Sequence, residues 1–174
     1  KQAKDILETR IKPTRMPYVI ERWSGGMLTN FGTIRKAIRK MSSIDKMEED
    51  GTMKTLSKRE RLQLSRTRAK LDKNYGTIAD MTRVPAAIFV IDVMKEHIAV
   101  KEANKLNIPT FAMVDTNSDP RDIDFVIPSN DDATKSIDAI MEKVSAAIME
   151  GLEERKSSKD KAKANKENKE KESK

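Results

Sequence analysis

Cysteine is absent from this 174-residue sequence, and histidine occurs once, as His97. Without cysteine there are no disulfides and no thiolate metal site. A single histidine cannot complete a familiar zinc site or a Cys-His nucleophile pair. His97 directly follows Glu96 at the predicted start of a helix, so a structural role in the first turn is favoured over catalysis.

Long apolar runs and nucleotide-binding signatures are also missing. No run approaches the roughly 20 apolar residues that span a bilayer, and the first residues lack a signal-peptide pattern. Gly25 and Gly26 could begin a phosphate loop, but the sequence contains neither GxGxxG nor GxxxxGK followed by Ser or Thr. The sequence therefore predicts a soluble chain, and it gives the glycine pair little support as part of an enzyme's phosphate site.

Charge is plentiful and unevenly distributed. Charged residues make up 36% of the chain, against about 25% in a typical domain, and the net charge is +7. Residues 155–174 carry nine basic and four acidic side chains, residues 10–40 eight basic and one acidic, and residues 115–132 six acidic and one basic. This polarity favours a polyanionic partner. The alternative is an ordinary solvated charged face.

The first half of the chain is predicted to be mostly helical. KQAKDILETRI has an amphipathic helix pattern, and MPYVI at residues 16–20 is typical of a short buried strand. Apolar residues recur at helical spacing in two later segments, namely Phe31, Ile34, Ile38 and Met41, and then Leu64, Leu71, Tyr75 and Ile78. Ser57 and Glu60 have the spacing of a capping box before the second of these. Two long helices joined by a short turn predict an antiparallel hairpin, assigned to residues 29–82.

The second half alternates strands and helices. AAIFVID, IPTFAMVD and DFVI are short apolar runs typical of buried parallel strands, whereas EHIAVKEANKL and the segment beginning DDATK are helical. This order predicts an α/β fold, an open parallel sheet with helices on both faces, into which the hairpin is inserted. The core is assigned to residues 1–28 and 83–154. Residues 155–174 are predicted to be a disordered basic tail, at most transiently helical.

Carboxylates occur where open α/β sheets usually bind ligands. Asp92 and Asp115 stand at the predicted carboxyl ends of strands, and Asp119, Asp131 and Asp132 are close to them in sequence. A magnesium-dependent phosphotransfer or hydrolase site that uses Asp92, Asp115 and Asp132 is one hypothesis. The alternative, favoured by the turn-forming sequence TNSDP, is that these residues cap helices and order turns.

Basic residues around RWSGGMLTNFGTIRK are typical of a phosphate-binding surface. The side chains predicted to contact RNA phosphates are Arg22, Arg35, Lys36, Arg39 and Lys40. Gly25 and Gly26 would let the backbone approach phosphates, and Trp23 would either stack on an exposed base or pack against its own sheet. A second basic run, with possible RNA or partner contacts on the hairpin, consists of Lys58, Arg59, Arg61, Arg66, Arg68 and Lys70.

Three long motifs carry a family resemblance. RWSGGMLTNFGTIRK, AAIFVIDVMKEHIAVKEANKLNIPTFAMVDTNSDP and DFVIPSNDDA, in this order and spacing, resemble bacterial small-subunit ribosomal protein number two. The resemblance covers roughly residues 1–152 and implies that an N-terminal part of the family pattern is missing. The family's RNA-facing loop matches Arg22, Trp23, Gly25, Gly26, Thr29 and Asn30, whereas Ser24 departs from the pattern.

The resemblance implies a flavodoxin-like core, a protruding two-helix coiled coil and a role without enzymatic activity. It implies a cytoplasmic structural constituent of the small ribosomal subunit, bound between head and body. The implied partners are small-subunit ribosomal RNA and other small-subunit ribosomal proteins, including ribosomal protein number one. It implies no cofactor, metal, membrane or small-molecule substrate. Asp92, Asp115 and Asp119 match the family without a catalytic role.

Overall fold

The computed structural model describes residues 2–172, with side chains over residues 2–158. The chain divides into two compact units, one consisting of residues 17–133 and the other of the segments on either side. Among the described residues, no helix is long and apolar enough to cross a membrane.

The unit outside residues 17–133 is built on two helices. Its elements are α1 (Gln2–Ile11), a 3-10 turn (Lys12–Thr14) and α5 (Thr134–Glu172). Helix α1 packs along α5. Arg10 donates hydrogen bonds to both carboxylate oxygens of Asp138, each at 2.8 Å. The hydrogen bond from Arg10 lowers the pKa of Asp138, because it stabilises the ionised carboxylate.

Helix α5 continues through most of the segment predicted to be disordered. Residues 155–172 are helical, which differs from the predicted disorder. No glycine or proline occurs after Gly151, and Lys and Glu are the most frequent residues of this segment. Both residue types have high helix propensities. The side chains of residues 159–174 lie outside the described residues, and the predicted domain boundary at residue 155 remains a prediction.

A three-stranded parallel sheet lies within residues 17–133. Its strands are β1 (Ile88–Ile91), β2 (Thr110–Val114) and β3 (Phe125–Pro128), in the order β1-β2-β3. The register pairs Val90 with Ala112, and Ala112 with Val126. The predicted α/β class and parallel sheet are confirmed.

Helix α4 (His97–Lys105) connects β1 to β2. Its Val100 joins Val90 and Ala112 in a buried apolar cluster. Because β1 and β2 are parallel and joined through a helix, their carboxyl ends meet at the same edge of the sheet. Helices on both faces of the sheet remain a prediction.

Two long helices, α2 (Phe31–Glu49) and α3 (Lys58–Tyr75), occupy the region assigned to the hairpin. Gly51 follows α2 with a φ of 75°, a left-handed conformation that suits glycine. A 3-10 turn, Thr52–Thr55, then leads to α3. The predicted capping box is confirmed, since the Ser57 side chain accepts from the Glu60 backbone N–H and the Glu60 side chain accepts from the Ser57 backbone N–H.

Helices α2 and α3 pack against each other and run in opposite directions. Near the start of α2, Ile34 and Ile38 share an apolar cluster with Tyr75, the last residue of α3. Towards the other end, Arg68 donates to Asp45 at 2.8 Å. Supercoiling of the pair as a coiled coil remains a prediction.

Residues 16–20, predicted to be a short buried strand, form no strand in the described structure. Tyr18, Val19 and Ile20 are only half-buried. The prediction was wrong because an apolar, β-branched run indicates burial, whereas a strand also needs a neighbouring strand to bond with its backbone. The described sheet pairs only β1, β2 and β3.

Candidate nucleic-acid interface

Helix α2 separates an apolar side from a basic side. Ile34, Ile38 and Met41 are buried. The basic residues of its first half are all exposed: Arg35, Lys36, Arg39 and Lys40. They form two pairs with a spacing of four residues, so the members of each pair lie one above the other on the helix surface. No acidic residue occurs in α2 before Asp45, and this half of the helix therefore presents uninterrupted positive charge.

The exposed Arg22 belongs to the same predicted set and lies in the segment that leads into the glycine pair. Together with the four basic residues in the first half of α2 it constitutes what we call the basic surface. Arg35 donates from Nη1 to the carbonyl of Thr82 at 3.3 Å. Since a guanidinium has five N–H donors, Arg35 retains several for a phosphate.

A carboxylate of the protein itself binds the glycine loop, which comprises residues 24–29. Glu102 of α4 accepts hydrogen bonds from the backbone N–H groups of Gly26 at 2.6 Å, Leu28 at 2.9 Å and Thr29 at 2.9 Å. It also accepts from the Thr29 hydroxyl at 3.1 Å. These three amides therefore point into the protein, whereas an approach of the Gly25 and Gly26 backbone to RNA phosphates stays a prediction. Gly26 has a φ of 85°, which other residues rarely adopt.

The hydrogen bonds keep Glu102 ionised despite its burial. Its residue is 7% exposed, and burial raises the pKa of its carboxyl. The backbone hydrogen bonds from Thr29, Leu28 and Gly26 oppose this effect and outweigh it, so the net pKa of Glu102 is lowered. The loop amides therefore supply the compensation that a buried charge requires.

Sequence reasoning did not identify Glu102, although a signal for it exists. Ala99, Val100 and Ala103 are the buried face of α4, and Glu102 lies on that face. An acidic residue at a core position of an amphipathic helix needs a partner. The partner could not be named from sequence, because the loop lies more than 70 residues away along the chain.

The other predicted loop residues make contacts within the protein. Trp23 is half-buried and packs against two apolar clusters, one containing Ile34 and the other containing Leu28. This favours the packing alternative over stacking on a base. Asn30 is the residue before α2, and its Oδ1 accepts from the Thr33 hydroxyl at 2.9 Å. RNA contacts of Trp23, Thr29 and Asn30 stay predictions.

The members of the predicted basic run on α3 fall into two groups. The exposed members are Lys58, Arg59, Arg66 and Lys70, and the last three line a shallow groove that also includes Leu62. Arg68 instead donates to Asp45 and lies 3.3 Å from Asp72. Arg61 is half-buried, and its Nε has no partner among the described residues. The structure thus separates solvent-facing positions of the predicted run from inward-facing ones.

The strand-end carboxylates are engaged in local contacts. Asp92 has a φ of 67° and forms an ion pair with Lys95. Asp115 accepts from the Thr116 backbone N–H at 2.7 Å. Asp119 accepts hydrogen bonds from Arg121, and these bonds lower the pKa of the Asp119 carboxyl to about 2. These contacts favour the capping and turn-ordering alternative.

The structure also bears on the metal hypothesis. Asp132 is exposed, and its backbone N–H donates to Asn130. Over the described part of the chain, no three His, Asp or Glu side chains are grouped so as to hold a metal ion. His97 is exposed, with Nδ1 lying 3.2 Å from the Met94 carbonyl, a first-turn contact of the kind expected for a structural role.

Comparison with known proteins decides the family. A family model described as Ribosomal protein S2 matches residues 1–151. The chain belongs to the ribosomal protein S2 family. The resemblance drawn from the three sequence motifs is confirmed.

Similar S2-family proteins share most of their matched residues with this chain. Proteins called small ribosomal subunit protein uS2 are 68% identical over 155 residues in Flavobacterium johnsoniae, 65% over 159 residues in Bacteroides thetaiotaomicron and 64% over 157 residues in Christiangramia forsetii. The matches cover 89%, 91% and 90% of this chain and 61%, 57% and 52% of those proteins. The chain thus spans about half to three fifths of the length of the curated relatives it matches.

Proposed function

We propose that this S2-family chain acts in translation as a structural constituent of the small ribosomal subunit and has no enzymatic activity. Family membership over residues 1–151 supports this role, as do the relatives named small ribosomal subunit proteins. The proposed partners are small-subunit ribosomal RNA and neighbouring small-subunit ribosomal proteins, including ribosomal protein number one. The proposed location is the cytoplasmic ribosome.

The observation that carries RNA binding is the basic surface. Its five side chains are exposed, and the first half of α2 contains no acid that would neutralise them. Lysine and arginine in such an arrangement displace the counterions of an RNA backbone, which makes binding strong at low salt and weak at high salt. Recognition proceeds through phosphates and the shape of folded RNA, with little reading of base sequence.

Helices α2 and α3 extend the proposed contact area. We propose that they form a coiled-coil hairpin inserted in a flavodoxin-like core with helices on both faces. Their opposite directions and mutual packing support this arrangement. The exposed residues of α3 give the hairpin an outer basic face for RNA or a neighbouring protein, namely Lys58, Arg59, Arg66 and Lys70.

Sedimentation tests the proposed function. A lysate that contains the chain is run over a sucrose gradient at physiological and at raised salt, and fractions are probed for the chain. We expect co-migration with small subunits that is lost as salt rises, because phosphate contacts weaken with salt. Migration at the top of the gradient under both conditions would contradict a ribosomal role.

A further inference from the structure

The contact between Glu102 and the glycine loop joins two distant parts of residues 17–133. Three backbone amides and one hydroxyl converge on a single carboxylate, which nearly fills the hydrogen-bonding capacity of its two oxygens. Hydrogen bonds to an ionised acceptor are shorter and stronger than those between neutral groups, and the 2.6 Å bond from Gly26 is one of these.

The geometry resembles an anion site that the protein has filled by itself. Successive backbone N–H groups form a concavity that ordinarily binds phosphate or another anion. Here the side chain of Glu102 occupies that position, and Glu102 is 7% exposed. An RNA phosphate would have to displace a buried carboxylate to reach the same amides, so the three amides of Gly26, Leu28 and Thr29 are not a free phosphate cradle.

The anchored loop leads directly into the basic surface. The Asn30 backbone N–H donates to the Gly26 carbonyl at 2.9 Å, and α2 begins at the next residue, Phe31. Leu28 packs with Ala103 and Ile108, which gives the loop an apolar contact beside its polar one. Immediately before α2, the loop is therefore held by hydrogen bonds to its backbone and by apolar packing of the Leu28 side chain.

We propose that Glu102 is a positioning residue for RNA binding: its carboxylate holds the glycine loop and thereby sets the start of α2 and the direction of its basic side chains. This inference rests on the proposed RNA-binding function. Glu102 itself touches no RNA. Its effect passes through the amides of Gly26, Leu28 and Thr29 and onward through the first turn of α2.

The test uses chemical rescue in the full chain. Glu102→Ala removes the equivalent of one acetate ion, because the deleted atoms are a methylene and a carboxylate. Affinity for small-subunit ribosomal RNA is measured by filter binding in chloride, in acetate at the same ionic strength, and in chloride with acetamide. We expect the variant to bind at least about tenfold more weakly in chloride, to recover in acetate, and not to recover with the neutral acetamide.

Two control variants separate positioning from charge and from volume. Asp122→Ala removes an exposed acid of residues 17–133, and we expect wild-type affinity in every buffer. Glu102→Gln keeps the side-chain volume but offers an NH2 group to N–H donors, so we expect weaker binding that acetate does not restore, because no space remains for the ion.

A second readout follows the loop without RNA. Trp23 is the only tryptophan and shares an apolar cluster with Leu28, so its fluorescence reports the position of the loop. We expect Glu102→Ala to shift the emission in chloride and acetate to reverse the shift. If the alanine variant does not fold, the same emission and affinity measurements on Glu102→Gln decide the question.

The outcomes distinguish this inference from the function on which it rests. Unchanged RNA affinity of Glu102→Ala in chloride, failure of acetate to restore a folded variant, or wild-type affinity and emission of Glu102→Gln would overturn positioning by Glu102. If Arg22, Arg35 and Arg39 changed together to Ala leave RNA binding unchanged, the proposed function itself fails. If the triple variant loses RNA binding and Glu102→Ala does not, the positioning role of Glu102 is rejected and the proposed function stands.

Discussion

At the scale of single residues, Glu102 and Asp131 are two buried carboxylates in opposite circumstances. They are 7% and 6% exposed, so burial alone would raise the pKa of both. Glu102 gains four donors and its pKa is lowered. Asp131 Oδ2 has no partner among the described residues, and its pKa is raised, first by burial and then by the charges of Asp92, Asp115 and Asp132. Similar depth thus gives opposite shifts, because donors are present at one site only.

Asp131→Asn is expected to stabilise the protein at pH 7, by about 1 kcal/mol. The substitution removes a charge that repels Asp92, Asp115 and Asp132, while Lys95 opposes that repulsion only in part. It also removes the charge from a buried oxygen, Oδ2, that has no hydrogen-bond partner among the described residues. Chemical denaturation at pH 7 compares the free energies of unfolding, with exposed Asp122→Asn as the control.

The pH dependence of this gain has a defined sign. The pKa of an aspartate carboxyl in the unfolded chain is about 3.9. When its pKa in the folded state is higher, the carboxyl destabilises the folded state at pH values above both of these pKa values. The advantage of asparagine should therefore be full at pH 7 and shrink as pH falls through the folded and then the unfolded pKa. An advantage that is absent at pH 7, or that grows on acidification, would contradict the repulsion described for Asp131.

At the scale of elements, the start of α3 depends on its capping box. Ser57→Ala should lower the free energy of unfolding by about 1 kcal/mol, because the Glu60 backbone N–H loses its acceptor. Ser65→Ala is the matched control, since Ser65 is an exposed serine inside the same helix and alanine raises helix propensity there. Chemical denaturation measures both. A Ser57 variant as stable as wild type would show that the cap contributes nothing to α3.

Elements were predictable from sequence wherever the deciding interactions are local. The capping box needs only residues three apart, and the apolar runs around Val90 and Ala112 carry the strand signal within themselves. Residues 16–20 have a similar composition, but strand formation there depended on a pairing partner elsewhere in the chain. The contact between Glu102 and Gly26 spans 76 residues, and neither periodicity nor charge pattern encodes such a pairing. For the same reason, exposure of Arg66 and pairing of Arg68 with Asp45 could not be separated by inspecting their shared basic run.

At the scale of the whole molecule, RNA binding could depend on the net charge of the chain or on where the basic residues are placed, and the two explanations predict different results. Much of the +7 belongs to residues 155–174, which carry nine basic and four acidic residues, whereas the remaining chain is close to balanced. The basic surface is nevertheless locally unopposed, since residues 10–40 contain a single acid. If net charge determines RNA affinity, residues 155–174 should contribute most to binding. If the placement of charge determines it, the basic side chains of α2 should contribute most.

Two variants that lose similar amounts of positive charge distinguish these explanations. Changing Arg22, Arg35 and Arg39 to Ala removes three positive charges, and deleting residues 156–174 removes eight basic and four acidic residues. We expect the triple variant to be incorporated into small subunits less well than the deletion in a competition assay with wild type. It should also lower the slope of log affinity against log salt by about 2 to 3, the amount for three lost phosphate contacts.

The control for an equal loss of charge changes three exposed lysines to Ala, namely Lys101, Lys105 and Lys135. A larger defect in the deletion than in the triple variant would assign binding to overall charge, because only placement predicts that the smaller loss of net charge has the larger effect. Incorporation of the triple variant equal to wild type would contradict RNA binding through the basic surface.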